Sequence, residues 1–209
     1  MNKIKVLIIE NEPLVRLGIC AVLNGENDFE IVGEAREADA GFRLFREKSP
    51  DVTLMSLRLG ETCAVDEIGN FLEFAPKAKI IILASHAGDA EINRALRGGA
   101  YGYVLRDISE AELVKAIRAV AAGKKYIPGE VAAILSETIG QENLTNTEQK
   151  ILEMIVRGGS NKEIAYNLNV SENTVKTHVK NVFEKLNVSD RTSAATSAIK
   201  RGLVRIDEK

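Results

Sequence analysis

Two rhythms of apolar and polar residues divide this chain. Up to about residue 122, short apolar runs alternate with stretches of helical spacing, and beyond about residue 144 only helical spacing recurs. Val6-Leu7-Ile8-Ile9 is a continuous apolar run, as expected of a strand covered on both faces. Phe29–Ala35, Val52–Leu57, Ile80–Leu83 and Gly102–Leu105 read as further strands. Between them a helix is expected from Pro13, which suits a first helical turn, to about Leu23. Others are predicted over Glu37–Lys48 with Phe42 and Phe45 inward, around residues 66–75, and over Ala90–Leu96 until Gly98-Gly99 ends it. The last runs from a Ser109/Glu112 capping box to Ala122. Five strands and five helices in alternation predict an α/β fold, a doubly wound five-stranded parallel sheet with right-handed crossovers.

The C-terminal part, 144–209, reads as a small all-α domain. Thr145 and Glu148 form a capping box that opens it, and Ser160 and Glu163 form another. Ile164, Ala165 and Leu168 give the helix after Ser160 an apolar stripe. Asn169-Val170-Ser171 breaks the pattern, and Ser171 suits the N-cap of a further helix. There Val175, Val179, Val182 and Leu186 repeat at spacings of 4, 3 and 4, one buried stripe, so Lys176, Thr177, Lys180, Asn181 and Glu184 face the other way. A short helix, a tight turn and a helix with Lys, Thr and Asn in front is how a helix-turn-helix reads a major groove. Double-stranded DNA is therefore the expected partner. Because one recognition helix reads few base pairs, a homodimer is expected. Thr192, Ala195, Ile199 and Leu203 form a stripe on the last helix that suits either pairing or packing against its own domain.

Residues 123–143 read as a linker, turn-rich over Lys124–Gly129, with a short helix over Val131–Ile139 before Gly140. The 209 residues, 45% hydrophobic and 28% charged, suit one large or two modest soluble domains. No apolar run approaches the roughly 20 residues of a membrane helix. No cleavage signal is legible at the N-terminus, and Cys20 and Cys63 lie in unrelated contexts, which suits a reducing cytoplasm. Residues 1–140 hold 17 Lys+Arg against 21 Asp+Glu and residues 141–209 hold 11 against 9, so net charges of −4 and +2 make up the overall −2. A net of +2 is weak evidence for nucleic acid; the placement of Lys176 and Lys180 carries more. His178 has no Cys, His or acid at metal-ligand spacing, so no metal is expected there.

Ligands of doubly wound sheets sit beyond the carboxyl ends of the strands. Those ends carry Glu10-Asn11-Glu12, Ser56, Ala84-Ser85 and Arg106. Glu10 and Glu12 repel phosphate, so neither a nucleotide or flavin cofactor nor an enzyme is expected. Ser56 is a weak nucleophile with no neutral-pH base in evidence. Two placements are open to Arg106: paired with Glu10 or Glu12, or pointing to solvent.

Residues 144–205, with LTNTEQKILEMIVRGGSNKEIAYNLNVSENTVKTHVKNVFEKLNVSDRTSAA, resemble the LuxR-type helix-turn-helix almost end to end. The resemblance places Lys176, Thr177 and Lys180 at base edges and Asn161, Lys162, Thr174, His178 and Lys185 at the phosphate backbone. It also makes the helix after Ser189 a pairing element. Residues 3–122, with VLIIENEPLVRLGI, SPDVTLMSLRL, IIILAS and GGAYGYVLRD, resemble the receiver domain of NarL/FixJ-type response regulators. In that family two acids and a phosphoacceptor aspartate hold Mg²⁺, and a hydroxyl and a lysine touch the phosphoryl group. Here those positions carry Glu10-Asn11, Ser56, Ala84 and Arg106, and only the aromatic Tyr103 is retained. The expectation is a DNA-binding transcriptional regulator with a degenerate phosphorylation site, working independently of phosphorylation. Its receiver then serves dimerisation, a protein contact or a small-molecule partner. The alternatives are phosphorylation at another carboxylate and an interaction adaptor with a vestigial DNA-binding domain.

Overall fold

The structure is a computed structural model that describes residues 3–60, 62–86, 88–137 and 144–204. It resolves into two compact units, the first of residues up to 87 and 92–135, the second of residues 88–91 and those from 136 on.

In the first unit the strands β1 (Ile4–Ile9), β2 (Phe29–Ala35), β3 (Val52–Ser56), β6 (Ile80–Ala84) and β7 (Gly102–Leu105) form one parallel sheet in the order β2-β1-β3-β6-β7. Alternate residues of each strand feed opposite faces. Val6 and Ile8 pack with Ile19 and Leu23 of α1 (Pro13–Asn24) and with Leu113, Ile117 and Val120 of α5 (Glu110–Ala121). Leu7 and Ile9 pack on the other face with Phe45 of α2 (Ala38–Lys48), Ile68 and Phe71 of α3 (Ala64–Phe74), and Ile92 and Ala95 of α4 (Asp89–Arg97). The continuous apolar run of β1 is thus explained by burial on both sides. Helix α2 lies close on the sheet: a Cβ at Gly41 would come within 2.3 Å of Ile9 Cδ1. Phe42 and Phe45 point inward as expected, stacking edge-on against Phe71 at centroid distances of 5.1 and 5.0 Å.

Two features differ from the sequence reading. A two-stranded hairpin, β4 (Arg58–Leu59) with β5 (Thr62–Cys63), follows β3, too short for a period to register. The first part of the expected linker also belongs to the first unit's packing: Tyr126 bridges to Gly102 at the sheet edge, and Ile127 and Ile134 flank a fully buried Val131 of α6 (Gly129–Glu137) in its core. The end expected for that helix at Gly140 lies outside the described residues. The Ser109/Glu112 box is half formed, since Ser109 Oγ accepts from the Glu112 N–H but the carboxylate meets the Ser109 hydroxyl.

The second unit holds α7 (Asn146–Val156), α8 (Asn161–Leu168), α9 (Glu172–Leu186) and α10 (Arg191–Lys200). Both expected capping boxes, Thr145/Glu148 and Ser160/Glu163, are complete. Asn169 ends α8 with φ 53°, a left-handed conformation that asparagine tolerates, and this permits the tight turn into α9. Ile151, Ile155, Ile164 and Val175 form one core and Leu152, Val182, Ala194 and Ala198 an adjoining one. The expected stripe divides: Ala195 on α10 and Leu203 beyond its end pack inward, while Thr192 and Ile199 on α10 are exposed.

Candidate functional site

Parallel strands with a common direction bring their carboxyl ends to one edge of the sheet, and there the first unit gathers its polar residues. Glu10 follows β1, Glu12 precedes α1, Ser56 ends β3, Ala84 ends β6 and Arg106 follows β7. The Arg106 guanidinium joins three of them. Its Nη2 lies 3.0 and 2.9 Å from the two Glu10 carboxylate oxygens and 2.8 Å from Ser56 Oγ, while Nη1 bonds Glu12 Oε1. Of the two placements open from the sequence, the paired one is found, and it engages both acids.

The Glu10 side chain is 0% exposed. A carboxylate so buried persists only with a cation and hydrogen bonds around it. Besides Arg106 it receives the Glu12 N–H at 2.9 Å; with the Asn11 amide assigned so that its nitrogen faces the two acceptors beside it, that nitrogen lies 3.1 Å from Glu10 Oε1 and 2.9 Å from the Arg58 carbonyl. Ser56 in turn donates to that carbonyl at 2.9 Å. Arg16 of α1 donates to the Glu10 carbonyl at 2.7 Å and pairs with Glu34 at 3.3 Å. Ala84 is buried and adds no polar group, and Tyr103 is fully buried with its hydroxyl 3.4 Å from the His86 carbonyl.

On α9, Lys176, Thr177 and Lys180 are exposed on the side opposite Val175 and Val182. Lys162 on α8 is exposed as well. Three other expected contact residues are held locally. Asn161 accepts from Arg191 at 3.3 Å, Thr174 shares a hydroxyl hydrogen bond of 2.8 Å with the N-cap Ser171, and His178 is half-buried. Lys185 is placed differently from the expectation of a phosphate contact. Its ammonium lies 2.9 Å from Glu148 Oε2, whose side chain is only 4% exposed. Burial works to raise the Glu148 pKa, but the Thr145 N–H and the Lys185 ammonium outweigh it and hold the carboxyl below its usual range. Lys185 therefore braces α9 against the start of α7.

The structural roles of Arg16 and Arg191 and the pairing of Glu148 with Lys185 were not legible, although Glu148 was readable as a cap. Arg191 reaches the Gly159 carbonyl as well as Asn161 and so ties α10 to the loop before α8. In the sequence each is a single charge on a helix, the same signal that a solvated side chain gives; only Arg16, in register with Ile19 and Leu23, carried a hint of burial.

Comparison with known proteins agrees with both halves. Residues 6–118 match the response regulator receiver domain, and residues 142–198 match the bacterial regulatory proteins of the luxR family. The transcriptional regulatory protein LiaR of Bacillus subtilis is 37% identical over 209 residues, covering 96% of this chain and 99% of its own. MctR of Rhizobium johnstonii, a transcriptional regulatory protein, is 37% identical over 205 residues, covering 97% and 96%. Among solved structures, the response regulator ChrA of a heme-sensing two-component system is 31% identical with a TM-score of 0.58, covering 97% of this chain and 100% of its own. The RcsB–DNA complex is 26% identical with a TM-score of 0.74, covering 95% and 99%. With a receiver sheet in front and a helix-turn-helix behind, the chain belongs to the LuxR/NarL family of DNA-binding response regulators.

Proposed function

We propose that this regulator acts on DNA without a phosphorylation step in its receiver. The observation that carries this is the Arg106 guanidinium, bonded at once to Glu10, Glu12 and Ser56. A divalent cation of the receiver type needs several carboxylate oxygens in a near-octahedral shell. The donor set does not suit one: both Glu10 oxygens face Arg106, Asn11 is neutral, and the Ser56 hydroxyl is committed to Arg58. Ser56 is also buried, and its hydroxyl proton goes to the Arg58 carbonyl rather than to a base. Incubating the purified chain with acetyl phosphate and Mg²⁺ and measuring its intact mass tests the proposal. No added phosphoryl group is expected; a stoichiometric gain mapped to any receiver carboxylate refutes it.

In this reading α9 enters the major groove, with Lys176, Thr177 and Lys180 towards base edges. Lys162 and Asn161, beside the N-terminus of α8, meet phosphate; Thr174 and His178 contribute through the backbone side, and Lys185 stays with Glu148. RcsB, similar along nearly its whole length, has been solved with DNA, which supports the reading. Double substitution of Lys176 and Lys180 by Ala should abolish sequence-specific binding in a salt titration. Retained binding would show that another surface reads the DNA.

A twofold dimer places two recognition helices on two half-sites. The receiver offers a face for it: Leu14 and Leu17 of α1 are 82% and 63% exposed. Their chain neighbours Val15 and Gly18 line a cavity of about 480 Å³ together with Val22, Ile108 and Leu113 and the charged Arg106 and Glu110. Projecting leucines on α1 beside a groove between α1 and the start of α5 give one face both a projection and a recess, as a twofold contact requires. Leu17→Asp should yield folded monomer in sedimentation; a dimer of unchanged strength would exclude this face.

A further inference from the structure

The exposed face of α9 is electrically self-cancelling. Lys176 Nζ lies 3.3 Å from Glu172 Oε1, and Lys180 Nζ lies 3.6 Å from Glu184 Oε1. All four side chains are at least 50% exposed, so these carboxylates accompany the lysines onto the surface that would meet DNA. Two cations and two anions leave that face with no net charge. Elsewhere in the unit, Lys185 is drawn inward onto Glu148.

A helix in the major groove runs between two rows of phosphates, and contacts to phosphate supply most of the affinity for wrong sequences. Lysines that leave an intramolecular carboxylate to reach phosphate gain little, because one anion replaces another. The carboxylates they leave behind are repelled. Against base edges the balance differs. Guanine N7 and O6 accept from lysine, while the amino groups of cytosine and adenine donate and a carboxylate can receive them. An acid beside each lysine therefore suits a sequence that offers donors and acceptors in the matching order, and opposes every other.

We propose that Glu172 and Glu184 are specificity determinants of this DNA-binding helix. They hold Lys176 and Lys180 against indiscriminate phosphate binding and leave the arrangement favourable only on the correct bases. This rests on the reading of α9 as the helix that enters the groove, and the test separates the two.

A duplex is first selected from a random pool with the unaltered full-length chain. Its affinity and that of a random duplex are then measured across a range of salt for Glu172→Gln, Glu184→Gln and Lys176→Ala/Lys180→Ala. Glutamine keeps the shape and removes the charge. Each glutamine variant should bind the random duplex about threefold more tightly, the effect of removing one charge near a phosphate in water. The selected duplex should gain less or weaken, so the ratio of the two affinities falls. Equal changes on both duplexes, or none, overturn the proposal while a loss of binding in the lysine double variant leaves the groove-reading helix standing. Unchanged binding in the lysine variant overturns that reading and this one with it.

Discussion

Replacing Arg106 by Met keeps an extended side chain of similar reach and removes its charge and its donors. The consequence follows from where its partners lie. The Glu10 side chain is 0% exposed, whereas Glu12 is 55% exposed, so water replaces Arg106 at Glu12 but not at Glu10. Removing one member of a buried ion pair costs about 3–5 kcal/mol. Glu10 retains the Glu12 N–H and the Asn11 amide, and hydrogen bonds to a charged group are worth about 1.5–3 kcal/mol each. The loss for Arg106→Met should therefore fall near the lower bound, about 3 kcal/mol. Glu12→Gln breaks only a half-exposed pair and should cost no more than about 1 kcal/mol. Adding Glu10→Leu to Arg106→Met removes the stranded charge and should recover a large part of the loss.

Urea unfolding of the full chain, followed by tyrosine fluorescence, reads these differences. Tyr101, Tyr103 and Tyr126 all lie in the receiver unit, and Tyr166 is the remaining one of the four. Midpoints compared at equal slopes give the stability changes. A loss under about 1 kcal/mol for Arg106→Met would refute the reasoning, since that is the range of an exposed pair. So would a Glu12→Gln variant as costly as Arg106→Met.

Three further outcomes follow from the geometry. Because the Glu148 carboxyl is held below the usual carboxylate range, its contribution is present at and above that range and is lost as pH falls through the lower folded value. Melting curves of Glu148→Gln should thus lose less stability on acidification than the unaltered chain, and parallel curves would deny Glu148 this role. The Thr177 hydroxyl donates to the Asn173 carbonyl at 3.1 Å, which leaves its methyl as the distinctive group for a thymine methyl. Thr177→Val should then keep the affinity for a selected duplex while Thr177→Ser weakens it; the reverse order would mean that the hydroxyl does the reading. Gly41→Ala places a methyl 2.3 Å from Ile9 Cδ1, and calorimetry should show a loss of about 1–3 kcal/mol from overpacking, whereas a neutral or stabilised variant would mean that Ile9 has room to turn.

The sheet and the helix-turn-helix were legible because burial on both faces and caps leave strong local marks. The run Val6–Ile9 and the boxes Thr145/Glu148 and Ser160/Glu163 each fixed an element within a few residues. The hairpin Arg58–Cys63 was not legible, since two residues per strand carry no period. The docking of α6 was not either: Val131 and Ile134 have the spacing of any short helix, and only the tertiary contact shows what they cover. For the charged residues, type and position along a helix were clear but partners were not. Arg106 meets Glu10 from 96 residues away and Lys185 meets Glu148 from 37, separations that no local pattern encodes.

That residue 106 is arginine also bears on how the receiver is used. A lysine offers a single point of charge, whereas the guanidinium is a planar fork whose donors diverge. Only the fork places one group against both Glu10 oxygens and Ser56 while a second nitrogen takes Glu12. It also stays protonated at any physiological pH. A switch requires something with unequal affinity for two states that comes and goes. Mg²⁺ and a phosphoryl group do so in a phosphorylated receiver, but a covalently attached cation cannot leave. On the proposal that no phosphoryl group is added, the ion-pair cluster supplies a bias towards the arrangement of the strand ends in which Arg106 meets Glu10, Glu12 and Ser56. On that proposal, regulation enters through what binds elsewhere on the molecule or through how much of the protein is made, since both change DNA occupancy without altering the charge at residue 106.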